Sequence, residues 1–253
     1  MCEDKLKWRF AHSNYGIRKG LNTGDAETFK SDPYANFARE VVQNSIDAQL
    51  DRDKPVTVEF HAFKINTCDI PGIDDLKSAV KRCIELWNDS NSEFSKVYDD
   101  ILNKLNSRVI GCLRISDKNT VGLDGIERPD DWRDNKFLAL TRSTGVSNKG
   151  NDTAGGSKGV GKNAAFLLSE VKTVFYSTLT FKGYKGGFGV ADFISGYAED
   201  SRADTESRDY TQGEGYFGRN DRNHPCEEFV RFDKDFHDRE QGDSGIAVQI
   251  FIF

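Results

Sequence analysis

The run Glu40-Val-Val-Gln-Asn44-Ser-Ile-Asp47-Ala48 lies in a segment predicted to be helical from about Pro33 to Leu50. Asp32-Pro33 supplies an N-cap residue followed by proline at the first helical position. At ~100° per residue, Glu40, Asn44 and Asp47 fall within a ~60° sector. Phe37, Val41 and Ala48 flank one side of that sector and Ile46 and Leu50 the other. Polar groups held between two apolar flanks are expected to face a cleft. A carboxylate and an amide oxygen one turn apart can hold a magnesium ion together with its waters, and the carboxylate can take a proton from an attacking water. The competing reading is a solvated stripe on an amphipathic helix.

Two further stretches are rich in special residues. Leu113-Arg-Ile-Ser-Asp117-Lys-Asn119-Thr-Val-Gly122 reads as a β-rich run entering a polar turn, with Val109 to Ser116 as a central strand. Asn119 tolerates positive φ better than most residues, and Gly122 adopts it freely. Gly155-Gly156-Ser-Lys158-Gly159-Val160-Gly161-Lys162-Asn163-Ala164-Ala-Phe166 is the densest glycine stretch and leads into a short helix expected from Gly161 to Ser169. Amide groups and the dipole at such a helix start can face phosphates. A P-loop would use Gly156, Gly161 and Lys162, but Asn163 replaces the hydroxyl that binds magnesium. The residues before it form a polar loop, where a P-loop needs a buried strand.

Taken in order, E-x-x-x-N-x-x-D-A at Glu40–Ala48, the aspartate at 117, and G-x-x-G-x-G at Gly156, Gly159 and Gly161 resemble the boxes of the gyrase, heat-shock chaperone, histidine kinase and MutL ATPases (the GHKL superfamily). The likeness frames residues 32–180 and is nearest to prokaryotic heat-shock-chaperone-like and MORC-like ATPases, some of which belong to bacterial antiviral defence systems. The resemblance implies the Bergerat fold: an α+β two-layer sandwich, a mixed, mainly antiparallel sheet with helices on one face, and ATP held beneath a long lid.

The same resemblance implies roles. Asn44 would ligate Mg2+, Glu40 would act as the catalytic base and touch the metal through water, and Asp47 and Ala48 would complete the nucleotide-facing helix. Asp117 would read the adenine amino group, with Asn119 and Gly122 in the turn where the family pattern is D-x-G-x-G. Gly156, Lys158, Gly159, Val160, Gly161, Lys162 and Asn163 would close over the phosphates. In Ser244-Gly245-Ile246, Ile246 stands where the family places a threonine, so Ser244 becomes the candidate hydroxyl. The cofactors implied are ATP and Mg2+. The activity implied is slow hydrolysis to ADP and phosphate that drives lid closure, with a homodimer forming in the ATP-bound state or a partner protein sensing it. Two alternatives stay open: an ATP-binding sensor or scaffold that barely hydrolyses, and a histidine kinase catalytic domain, for which His12 and His61 have poor contexts.

Around these motifs, residues 1–31 read as an N-terminal arm and 32–253 as one domain. That domain carries a helical insert at about 74–106 and a polar insert at about 196–245. A strand is expected from Val56 to Ile65 with Val56, Val58, Phe60 and Ala62 on one side, a helix over 130–142, and strands over 171–180, 186–194 and 246–253. The stop in mid-strand at Phe251-Ile-Phe253 suggests a piece of a longer protein. A charged fraction of 30 % with 37 % hydrophobic residues marks an ordinary globule. No apolar run approaches the ~20 residues that span a bilayer, so a cytoplasmic location and no membrane partner are expected. The net charge of −6 argues against broad nucleic-acid binding. Five scattered cysteines form no CxxC pair and are expected to be reduced.

Overall fold

The computed structural model describes residues 6–21, 33–88, 92–143, 165–199, 208–227, 233–240 and 242–252. In chain order these form β1 (Lys7–His12), α1 (Pro33–Asp47), β2 (Thr57–Asn66), a 3-10 turn (Thr67–Asp69), α2 (Ile73–Trp87), α3 (Ser92–Asn106), β3 (Val109–Lys118), α4 (Lys136–Thr141), β4 (Thr173–Leu179), β5 (Lys185–Asp192), β6 (Thr211–Gly218), α5 (Lys234–His237) and β7 (Gly245–Phe251). The strands make one seven-stranded sheet in the order β1-β6-β5-β4-β7-β3-β2. Every strand pairing among the described residues is antiparallel. The α+β class and the antiparallel sheet are as expected, whereas the expected mixture with parallel pairs is absent from these strands.

The core lies on both faces of the sheet. Side chains alternate along a strand, and neighbouring residues divide accordingly: Cys112 and Phe251 join one apolar cluster, while Leu113 and Ile250 join the other. The first cluster is roofed by α2 and α3 through Leu76, Val80, Tyr98, Ile101 and Leu105, the second by α1 and α4 through Phe37, Phe137 and Leu138. Every residue of β4 is buried, as a strand covered on both faces must be. This corrects the two-layer expectation with helices on one face: the α2–α3 hairpin adds a third layer. Each fully buried Leu- or Phe-sized side chain contributes roughly 1.5–3 kcal/mol, so the hairpin's apolar stripe is sufficient reason for it to lie down on the sheet.

The hairpin is also fastened by polar contacts. Ile194 N donates to Tyr98 Oη at 2.6 Å, and Trp87 Nε1 donates to the Ser195 carbonyl at 2.8 Å. α2 starts at Gly72 in the left-handed region (φ 65°), where an added Cβ would lie 2.6 Å from the Trp8 ring. Trp8 belongs to β1, so part of the expected arm is an edge strand whose tryptophan is 3 % exposed in the core. The segment expected as a polar insert over 196–245 likewise contains a strand, β6, between β1 and β5. Its glycines admit neighbours: a Cβ on Gly215 would meet the Phe10 ring at 2.3 Å. The expected apolar side of β2 is only half realised. Val58 packs inward, but Phe60 is 48 % exposed on this edge strand, while Phe63 and Ile65 pack under the hairpin from the opposite face. No helix among the described residues is long and apolar enough to cross a membrane.

Candidate functional site

α1 meets the sheet through Phe37, Val41 and Ser45, spaced four apart on one stripe. Ser45 Oγ donates to Asp117 Oδ2 at 2.9 Å and lies 3.1 Å from the Val41 carbonyl. Asp117 stands near the end of β3. Its other oxygen, Oδ1, accepts from Thr120 Oγ1 at 2.9 Å and from Ile246 N at 2.8 Å. A carboxylate has about four acceptor positions; three are used here, and the remaining one can take a further donor. Burial pushes the Asp117 carboxyl above its ordinary range, against the lowering influence of the Ile246, Thr120 and Ser45 hydrogen bonds and of the nearby Arg239 charge.

The backbone around Asp117 is tightly fixed. Arg239 Nη1 donates to the Asp117 carbonyl at 2.6 Å, and Val121 N donates to the carbonyl of Ala48 at 3.0 Å, joining the end of α1 to the aspartate loop. A Cβ at Gly245 would sit 2.2 Å from the Asp117 carbonyl oxygen, so only glycine lets β7 start there. The Asp117 carboxylate is thus positioned by the Ile246 amide and by Thr120.

Three residues of the expected ligand set make contacts within the chain. Ser244 is 2 % exposed and its hydroxyl donates to the Thr120 carbonyl at 2.6 Å, so it braces the aspartate loop from inside. Asn119, at φ 61°, accepts from Asp51 N and donates to the carbonyls of Asp51 and Lys54, stitching down the loop after α1. Gly122, at φ 70°, is pressed against the end of β4, where a Cβ would lie 2.7 Å from the Leu179 carbonyl oxygen.

On α1 itself, Glu40 is half-buried, and Asn44 and Asp47 are exposed. Gln43 Nε2 donates to Asp47 Oδ1 at 2.8 Å, which ties Asp47 to its own helix. Ile46 and Leu50, expected as the second apolar flank, are 52 % and 43 % exposed. Among the described residues the strip is therefore walled on one side only. The residues expected to face it, Gly156, Lys158, Gly159, Val160, Gly161, Lys162 and Asn163, lie outside the described residues. The chain on either side of them is described: Phe137 and Leu138 before, and the buried Ala165 and Phe166 of a helical turn at 165–168 after, all pack in the same cluster as Phe37. Both flanks of the glycine segment thus sit on the α1 face of the sheet.

Among the described residues no group of three or more His, Cys, Asp or Glu could hold a metal ion. Sequence reasoning missed Ser45, Thr120 and Arg239. Only Thr120, three residues after an aspartate, carries a local signal, since Ser and Thr hydroxyls bond nearby acceptors. No protein-family model, curated protein or solved structure matches the chain.

Proposed function

We propose that the chain binds ATP with magnesium on the α1 face of the sheet and hydrolyses it slowly, with closure of the glycine segment reporting nucleotide state to a second copy or a partner. The observation that carries this reading is the Ser45–Asp117 hydrogen bond. It joins the helix bearing Glu40 and Asn44 to the aspartate assigned to adenine, two segments 72 positions apart in the chain. The spare acceptor position on Asp117 suits an exocyclic amino group. The lack of a three-ligand metal cluster among the described residues is compatible with magnesium, which commonly keeps several waters and takes one or two protein ligands plus phosphate oxygens. In that assignment Asn44 would hold the metal and the phosphates would supply charge for it. Glu40 would accept the proton of the attacking water, and the glycine segment with Lys162 would neutralise and enclose the phosphates.

A second reading, nucleotide binding with little turnover, is favoured by Ser244, whose buried hydroxyl already donates to the Thr120 carbonyl. One pair of variants separates the two. With purified chain and Mg-ATP, Glu40→Ala is expected to lower phosphate release by about 10²–10⁴-fold while ATP affinity stays within a few-fold. Asn44→Ala is expected to weaken the magnesium-dependent part of binding. Equal phosphate release by wild type and Glu40→Ala would leave only the binding reading, and absence of ATP binding by the wild type would remove both.

A further inference from the structure

On the sheet face opposite the Asp117 carboxylate, Glu59, Arg114, Ser116, Lys118, Phe236 and Arg239 line a cavity of about 250 Å³. The strand register explains the grouping. Glu59 pairs with Ser116, Thr57 with Lys118 and His61 with Arg114, so the alternate residues of β2 and β3 present one polar row. α5 and the residues after it roof this row with Phe236 and Arg239.

The charges in the cavity are only partly matched. Arg114 is held by Asp233 at 3.0 Å, in a pair that is almost fully buried. Arg239 gives Nη1 to the Asp117 carbonyl, and its guanidinium lies 4.3 Å from the Phe236 ring centroid. Glu59 lies on the same wall, near enough for its charge to act on Arg239. Ser116, only 4 % exposed, lines the same cavity. The lining therefore brings together Lys118 and Ser116 from a strand and Arg239 from its roof. Burial lowers the Arg239 pKa, against the raising influence of the Asp117, Asp243, Asp233 and Glu59 charges around it.

We infer that this cavity is a binding site for a small oxyanion, a phosphate- or carboxylate-bearing ligand whose charged group sits between Lys118, Arg239 and Ser116, with a hydroxyl or amino group turned to Glu59. Guanidinium and ammonium donors from two directions suit a tetrahedral oxyanion, and a low-dielectric cleft lined mainly by one sign of charge concentrates counter-ions. The site is separate from the α1 face and stands whether or not that face binds nucleotide. Arg239 connects the two, because the guanidinium that faces the cavity also holds the Asp117 backbone.

The test uses inorganic phosphate and malonate as probes in calorimetric titrations of the whole chain. Wild type, Lys118→Ala, Ser116→Ala and, as a control on the other face, Asn44→Ala are compared at one ionic strength. Wild type is expected to bind at least one probe at a single site. Lys118→Ala is expected to weaken it by about tenfold or more, as loss of a charge-assisted contact implies. Ser116→Ala should weaken it less, and Asn44→Ala should leave it unchanged. The preferred probe identifies phosphate or carboxylate as the recognised group. No binding of either probe, or binding unaffected by Lys118→Ala, would overturn the inference. So would binding abolished by Asn44→Ala and kept by Lys118→Ala, which would place the anion on the α1 face. Thermal unfolding of each variant without ligand, expected to match wild type, verifies that the variants fold.

Discussion

At the scale of single residues the decisive group is Asp117. A buried carboxylate whose folded pKa lies above its ordinary value of 3.8 binds its proton more tightly in the folded state than in the unfolded state. Its contribution to stability is therefore complete below that ordinary value and is lost as pH rises through the raised folded pKa. Asp117→Asn keeps a similar shape and removes the titration. Urea unfolding of both proteins across about pH 3.5 to 8 should show the D117N variant gaining on wild type as pH increases. A difference that stays flat with pH would mean that burial does not govern this carboxyl. Asp117 itself, like Glu40 and Asn44, could be picked out of the sequence because residue type and spacing carry the signal. Its partners could not. Ser45 lies 72 positions away and Ile246 donates through a backbone amide that any residue but proline has, so neither leaves a mark in the sequence.

Among the elements, α2 and α3 were legible because Leu76, Val80 and Ile84, and Val97, Ile101 and Leu105, repeat at helical spacing. β1 and β6 were not. Thr211-Gln-Gly-Glu-Gly-Tyr-Phe-Gly reads as turn-forming sequence, yet the missing side chains are what let the Phe10 ring and the Phe193 carbonyl approach it. What holds the hairpin to the sheet is in part the hydroxyl of Tyr98, a residue only 1 % exposed, which accepts from Ile194 N. Tyr98→Phe would leave that buried amide without a partner, a loss of about 1–3 kcal/mol measurable by chemical denaturation. A loss below about 0.5 kcal/mol, the usual scatter of surface changes, would show that apolar contacts alone anchor the hairpin.

For the molecule as a whole, the sequence suggested a β-rich domain with a covering of helices, but not the strand order or the second covered face. Both depend on which distant segments meet, and no local pattern encodes that. The thiols offer a readout of how unified the result is. Cys83 and Cys112 are buried in the cluster beneath the hairpin; burial raises both, that of Cys112 to about 12, whereas Cys68 is exposed. In a Cys2→Ser/Cys68→Ser/Cys226→Ser background, a thiol reagent is expected to label Cys83 and Cys112 only through the global unfolding transition, at one denaturant midpoint. Separate midpoints would reveal a hairpin that lifts off before the sheet opens. The strand order has a further bearing on how the chain is made. β7 lies between β3 and β4, and β1 waits for a partner in β6; Arg9 and Gly218, which touch across that pair, are 209 positions apart. A ribosome adding about 5–20 residues per second would leave the first strand exposed for roughly 10–40 s. The two half-sheets could be joined only after residues 245–251 had left the exit tunnel. Trp8 and Phe10 would be bare throughout that interval, making the unpaired β1 segment a natural target for holding chaperones.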